Sequence, residues 1–191
     1  MKKTAIAQAH FTDNVEYTLR DKNGKIKKLF QDNKFFRWLM KKRIVSPLFP
    51  KIPFLLGNWQ DLKTVSNLIT NAGFAGAASR INGADSEAAF TYIAVGTGTT
   101  AAAAANTTLE TETAASGLSR AAGTASRVTT TQTNDTAQLT KTFTVTGSVA
   151  VTESGVLNAA SVGVLLCRQV FSAINVVNGD SLTITWKIKC A

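Results

Sequence analysis

The stretch SLTITWKIKC, residues 181–190, places Leu182, Ile184, Trp186, Ile188 and Cys190 on one side and Thr183, Thr185, Lys187 and Lys189 on the other. Successive side chains of a strand point to opposite faces, so a period of two with one apolar face predicts a strand covering a core. TFTVTGSVAVT, residues 142–152, does the same, with Phe143, Val145, Val149 and Val151 set against Thr142, Thr144, Thr146, Ser148 and Thr152. Alternation this clean belongs to antiparallel sheets packed on one face. GVLLCRQVFSAINVVNGDS predicts a further strand from about Val162 to Phe171 and a turn through Asn178, Gly179 and Asp180, and FTYIAVG (90–96) and SRVTTTQTNDTAQLTKT (126–142) supply more. Several short strands separated by Gly, Asn and Ser turns predict an all-β fold, an antiparallel β-sandwich of jelly-roll or immunoglobulin-like type.

Composition limits that domain to residues 64–191. They contain 24 alanines and 23 threonines, and β-branched residues lose side-chain freedom in a helix but pack well on a strand. Charge divides at the same place. Residues 1–63 hold 14 Lys and Arg against 5 Asp and Glu, whereas residues 64–191 hold 7 of each, so the whole excess of +9 lies in the first third. Pro47, Pro50 and Pro53 lie there too. The shift predicts a basic, apolar arm over 1–63 joined to the β-domain over 64–191.

Within the arm, VEYTLRDKNGKIKKLF carries a hairpin signal: Val15, Tyr17 and Leu19 alternate, Asn23-Gly24 offers a type I′ turn, and Ile26 opens a return strand towards Phe30. An isolated hairpin is marginal in water and needs a surface to lie against. DNKFFRWLMKKR predicts a short helix capped by Asp32 or Asn33 and ending in basic residues through Arg43. Phe35, Phe36, Leu39 and Met40 form its apolar stripe, with Trp38 beside them. In VSPLFPKIPFLLGNW three prolines forbid helix and central strand, predicting an extended segment that bears Leu48, Phe49, Ile52, Phe54, Leu55, Leu56 and Trp59. Each such group contributes roughly 1.5–3 kcal/mol when fully buried. A stiff apolar arm suits a groove on another protein, because little entropy is lost on docking; folding back over its own sandwich is the alternative. Tyr17, Leu19, Ile26, Phe30, Phe35, Phe36, Trp38, Leu39 and Arg43, with Leu48, Phe49, Ile52, Phe54, Leu55 and Trp59, are therefore the candidate partner contacts.

The residues of bond-making chemistry are scarce. His10 is the single histidine, and with Cys167 and Cys190 it makes too small a set for zinc or for a histidine-based triad. A hairpin centred near residues 175–178 would set Cys167 opposite about residue 185, so the two thiols read as separate and half-buried. GTGTT (96–100) lacks the later glycine and lysine of a phosphate loop and runs into AAAAAN, which predicts a surface turn. Glu153 and Asp135 read as buried or turn-capping carboxylates. No catalytic residue, metal, cofactor or small-molecule substrate is expected. MKKTAIAQAHFTDN opens on lysines but lacks the apolar core of about 7–15 residues of a signal peptide, and no run reaches the roughly 18 residues of a membrane span, which predicts a protein made in the cytoplasm with no membrane partner. Nucleic acid is a poor match for an arm lined with Leu and Pro, since its binders interleave basic with polar or stacking residues.

NLITNAGFAGAASRINGADSEAAFTYIAVGTGTTAAAAANTTLETE, then FTVTGSVAVTESGVLN, then VLLCRQVFSAINVVNGDSLTITWKIK resembles a group of structural proteins of tailed bacteriophages. The shared order is a strand, a GTGTT-like turn, an Ala/Thr segment closing on Leu-Glu, an arginine, an E-S-G-V-L turn and a last strand after G-D-S-L, over residues 66–189. The resemblance implies a virion component, a capsid decoration or cement protein or a tail collar, neck or fibre-base part. It implies other virion proteins as partners and many copies on a symmetric particle, and it supplies no catalytic residues.

Overall fold

The computed structural model of the chain describes residues 11–53 and 55–190. Its elements in chain order begin with β1 (Phe11–Arg20), β2 (Ile26–Lys27), β3 (Leu29–Asp32), α1 (Lys34–Lys41), β4 (Gly57–Gln60), β5 (Lys63–Ser66) and β6 (Leu68–Ile69). They continue with α2 (Asn71–Asn82), β7 (Tyr92–Gly96), β8 (Ala121–Ala122), β9 (Thr124–Val128), β10 (Thr136–Thr144), β11 (Val149–Leu157), β12 (Leu165–Val176) and β13 (Ser181–Cys190). Strands dominate, as the period-two segments predict, and every pairing between strands is antiparallel.

Two sheets lie face to face. The first runs β2-β1-β13-β10-β9 with β5 also on β1, and the second runs β6-β12-β11-β7-β8. A single apolar cluster joins them: Tyr17, Phe143, Ile184 and Trp186 from the first sheet pack with Ile93, Val151, Val156 and Phe171 from the second. The buried positions of β13 alternate strictly, as its sequence requires. In contrast, β11 and β12 are buried on nearly every residue, because α2 and the 97–120 loops cover their outer face. Residues 142–152 keep neither one period nor one sheet: alternating burial holds through Thr146, β10 ends at Thr144, and the chain crosses to β11 through Val145, whose amide donates to Asp180 O at 2.8 Å.

Several expectations need correction. β1 pairs with β13 along its whole length, Phe11 opposite Cys190 through Arg20 opposite Ser181, so residues 11–20 form a central strand of the sandwich and not part of an arm. The turn is not the expected type I′: it is centred on Lys22 and Asn23 and closed by Gly24 N to Asp21 O at 2.9 Å, with Gly24 but not Asn23 at positive φ, and its return strand β2 is only two residues long. The proposed boundary at residue 64 falls inside β5, which pairs with β1 from Asn14 opposite Ser66 to Tyr17 opposite Lys63. Apolar alternation at Val15, Tyr17 and Leu19 reports burial but not the partner, and a strand of the core looks the same in sequence as an arm seeking one.

Helix α2 is the second correction, since Ala/Thr richness argues for sheet throughout 64–191. Thr70 caps it by accepting from Gly73 N at 2.9 Å, and Gly83 closes it in a left-handed turn at φ 74°. Its small residues are what let it lie flat on the sheet: a Cβ at Gly73 would sit 2.1 Å from Leu166 O. Finally, β12 and β13 form no hairpin, because they belong to different sheets. Cys167, on β12, is buried, whereas Cys190 lies exposed at the end of β13. No helix among the described residues is long and apolar enough to cross a membrane.

Candidate docking surface

β3 and β4 pair with Asp32 opposite Gly57, so residues 33–56 form one long excursion from a two-stranded ladder. Asn33, not Asp32, caps α1, accepting from Phe36 N at 2.8 Å. Phe30, Phe36 and Leu56 form a small core of their own, against which Leu39, Met40 and Val45 pack. The prolines do exclude helix, but the segment they stiffen is not extended. Turns closed by Phe49 N to Ser46 O at 2.9 Å and Leu56 N to Ile52 O at 3.0 Å fold it back onto the sandwich.

The anchor for this excursion is a bulge in β12. Val151 faces Ile174 and Glu153 faces Val170, so one residue of β11 stands opposite three of β12, residues 171–173. The backbone groups this frees bond to the excursion instead: Ala173 N donates to Pro47 O at 3.1 Å, and Lys51 Nζ donates to Ala173 O. Beside them Lys63 Nζ, fully buried, donates to Asp32 Oδ2 at 2.8 Å, to Phe30 O at 2.7 Å and to Ser172 Oγ. Burial pushes the Lys63 amine down to about 8 from its ordinary 10.5, against the opposing pull of the Asp32 carboxylate. Lys51 is lowered for the same first reason.

Of the residues anticipated as partner contacts, the structure withdraws several. Tyr17 and Leu19 belong to the main core, and Phe30 and Phe36 to the small one; none of the four offers a face to a partner. Leu39 is half-buried beside Phe36, and Ile26 sits at a sheet edge. Phe54 lies outside the described residues. The others point outward together. Phe35, Trp38, Leu48, Phe49, Ile52, Leu55 and Trp59 are each between 40% and 59% exposed, and Ile44, which the sequence reading passed over, is 60% exposed. Phe35 and Trp38 stack at 6.3 Å with their planes 18° apart, and Lys51 lies 5.8 Å from the Trp59 ring. Arg43 turns the chain out of α1 at φ 58° with its side chain exposed. Soluble surfaces carry single apolar groups as a rule; seven of the eight exposed apolar side chains above lie on the excursion and Trp59 beside it on β4, a local density above that norm. The signal available in sequence was apolar density between prolines; what sequence could not supply was which half of those residues the excursion keeps for itself.

The GTGTT segment resolves differently from a surface turn. Gly96 and Gly98 are buried against Glu153, and a Cβ at Gly98 would lie 2.5 Å from Glu153 Oε1. The Glu153 carboxylate accepts from Gly98 N at 3.0 Å, Thr111 N at 2.7 Å, Glu110 N at 3.1 Å and Arg168 Nε at 2.8 Å. The loop thus cradles an anion, but the anion is the protein's own. Arg168 continues to Asn106 Oδ1 at 3.0 Å, so the pair is spent on holding the 97–111 loop. Asp135 caps the β9–β10 turn by accepting from Thr130, Thr131 and Gln132 N at 2.9 Å each, which holds its carboxyl well below the usual range. The two carboxylates serve different turns. No cluster of metal-ligating side chains occurs among the described residues.

No protein-family model, no curated protein and no solved structure matches the chain.

Proposed function

We propose that the chain is a non-enzymatic structural protein of a tailed-phage virion, a capsid decoration or cement protein that docks on neighbouring capsid subunits through its 33–56 excursion. One observation carries this reading. An excursion fastened to the sandwich by the half-buried Lys51, beside the buried Lys63–Asp32 pair, still turns a set of large apolar side chains to solvent, in the most basic part of the chain. Apolar groups supply short-range affinity, while lysines and arginines steer the approach to an acidic shell. The resemblance of residues 66–189 to phage structural proteins supports the virion setting.

The docking element in this reading is a preformed patch and not a loose arm. A patch already held in shape loses little conformational freedom on binding, which favours occupancy at every equivalent position of a symmetric shell. Copy number tests the reading: the amount of this protein in purified particles, measured by gel densitometry against the major capsid protein. A ratio near one, or a simple fraction of it, is expected for decoration. About a dozen copies would place the protein in the neck or tail, where rings of low symmetry set the count. Absence from particles would overturn the virion reading altogether.

A further inference from the structure

At one end of the sandwich the first sheet faces α2 across a cleft of about 330 Å³. The core-facing side of the sheet runs on into it, with Phe11 opposite Cys190, Ile188 opposite Ala137 and Leu139 opposite Ala125. Its floor is core, since Ile69, Leu139, Leu166 and Ile188 are each 9% exposed or less. On β10 the inward positions are Leu139 and Phe143 deeper in, but Ala137 here, and that short side chain leaves the space open. α2 supplies the facing wall through Phe74, Ala77 and Ile81, whose spacing of three and four residues keeps them on one stripe.

The walls are held in place without an occupant. Phe11 and Phe74 meet with ring centroids 6.0 Å apart, and a Cβ at Gly76 would lie 2.6 Å from the Phe90 ring. Apolar surface nevertheless remains in water, with Phe74 48% and Ile81 81% exposed. Small-molecule pockets start at about 300 Å³ and are mostly apolar, with a few polar groups that fix orientation. Among the described lining residues Arg80 is the single charged one. Its Nη1 donates to Glu87 O at 3.0 Å, which pins the guanidinium at the lip, and it makes no ion pair among the described residues. An arginine carries five N–H donors, and this contact occupies one.

We propose that the cleft binds a medium-chain fatty acid, its alkyl chain laid over Leu139, Leu166 and Ile188 and its carboxylate on Arg80. The site is independent of the docking reading, since no residue of the 33–56 excursion lines it. Two features select this ligand. Apolar walls favour burial without imposing direction, which suits a flexible chain. A guanidinium is planar and forked, and it matches the two oxygens of a carboxylate. The floor closes on core residues, so the cleft seats a single chain and not the surface of a bilayer.

Cys190 supplies the readout, because it lines the cleft and is exposed whereas Cys167 is buried. Decanoate is expected to slow alkylation of Cys190 by iodoacetamide in the full-length protein, saturably, with calorimetry returning the same Kd. Arg80→Gln is expected to weaken decanoate about tenfold, the loss of a charge-assisted contact. Ala137→Trp is expected to abolish binding by filling the cleft, with little change in melting temperature because Ala137 is exposed. Unchanged alkylation in decanoate overturns the proposal. Equal protection by decyltrimethylammonium, or full decanoate binding by an Ala137→Trp protein that melts like the wild type, does so too. A dimer in sedimentation that Ile81→Glu dissociates would overturn it in favour of a second copy of this chain on the same face.

Discussion

Tyr17 Oη lies 2.9 Å from Ser154 Oγ, a buried hydrogen bond that joins β1 of one sheet to β11 of the other across the middle of the sandwich. Both side chains are fully excluded from solvent, and Tyr17 also packs on Phe171 with ring centroids 4.4 Å apart. A polar contact inside an apolar core fixes how the sheets slide relative to one another, which apolar packing alone leaves loosely determined.

Tyr17→Phe should therefore cost about 1 kcal/mol, and Ser154→Ala somewhat more, about 1–3 kcal/mol, because it leaves the larger residue's hydroxyl without a partner. A double-mutant cycle by urea denaturation should return a coupling of at least about 0.5 kcal/mol. Burial holds the Tyr17 hydroxyl well above its ordinary pKa of 10.0, so an ultraviolet titration of a Tyr92→Phe protein, in which Tyr17 is the one tyrosine left, should show its phenolate forming only as the protein unfolds. A phenolate appearing in the folded protein near pH 10 would contradict the packing described.

The Lys63–Asp32 pair should behave as a buried pair with a strong preference for both partners or neither. Lys63→Ala or Asp32→Ala alone should cost about 3–5 kcal/mol, whereas Lys63→Met with Asp32→Leu should be close to neutral. The pH dependence has a definite sign. The folded amine loses its proton near 8 and the unfolded one near 10.5, so between those values the unfolded chain binds more protons. Stability should then rise with pH across that window, by at most about 3 kcal/mol. Urea midpoints measured from about pH 7 to 9.5 should climb in the wild type and climb less in the Met/Leu variant, where the lowered amine of Lys51 remains. Above this range ionisation of tyrosine opposes the trend, since a raised pKa contributes stability that is lost as pH increases.

Glu153→Gln should be among the most damaging single changes, about 3–5 kcal/mol, since it leaves Arg168 without its buried counter-charge and sets an amide donor among backbone donors. Gly98→Ala should destabilise through contact alone, because its Cβ would overlap both Glu153 and Glu110. Thermal melts would check both. A Glu153→Gln protein as stable as wild type would show that the loop stands without the carboxylate.

Serine substitutions at Phe35, Ile44, Leu48 and Leu55 should each change stability by no more than about 0.5 kcal/mol, because these side chains are already in water for half their surface. The same substitution at Phe36, in the small core, should cost about 3–5 kcal/mol. Equal losses at Phe35 and Phe36 would show that the outward face is packed in the free protein.

Much of the fold was legible in the sequence, and the failures share a cause. Period two at 181–190 and 142–146 marks strands correctly because burial on one face leaves an alternating record. The same record at Val15, Tyr17 and Leu19 was read as an arm, since alternation says that a face is buried and not what buries it. Helix α2 escapes the sequence because the Ala/Thr richness of 64–191 argues for sheet, whereas the small residue at Gly73 is the clearance a helix needs over Leu166. The exposed excursion was half legible: apolar density among prolines marks the segment, but the bulge at 171–173 that anchors it depends on pairing between β11 and β12.

The pairing of β1 with β13 also sets a timetable. The centre of the first sheet is made from residues 11–20 and 181–190, so its defining contact spans almost the whole chain. During synthesis at roughly 5–20 residues per second, the strand bearing Val15, Tyr17 and Leu19 waits on the order of ten seconds for its neighbour to leave the ribosome. Through that interval the second sheet can form locally from β11 and β12, while β1, paired only with the short β2 and β5, leaves the edge that β13 will fill open to chaperones or to other copies of itself. Assembly of the first sheet is thus gated by β13, and mutations in it should limit yield in the cell more severely than their effect on the finished protein would suggest.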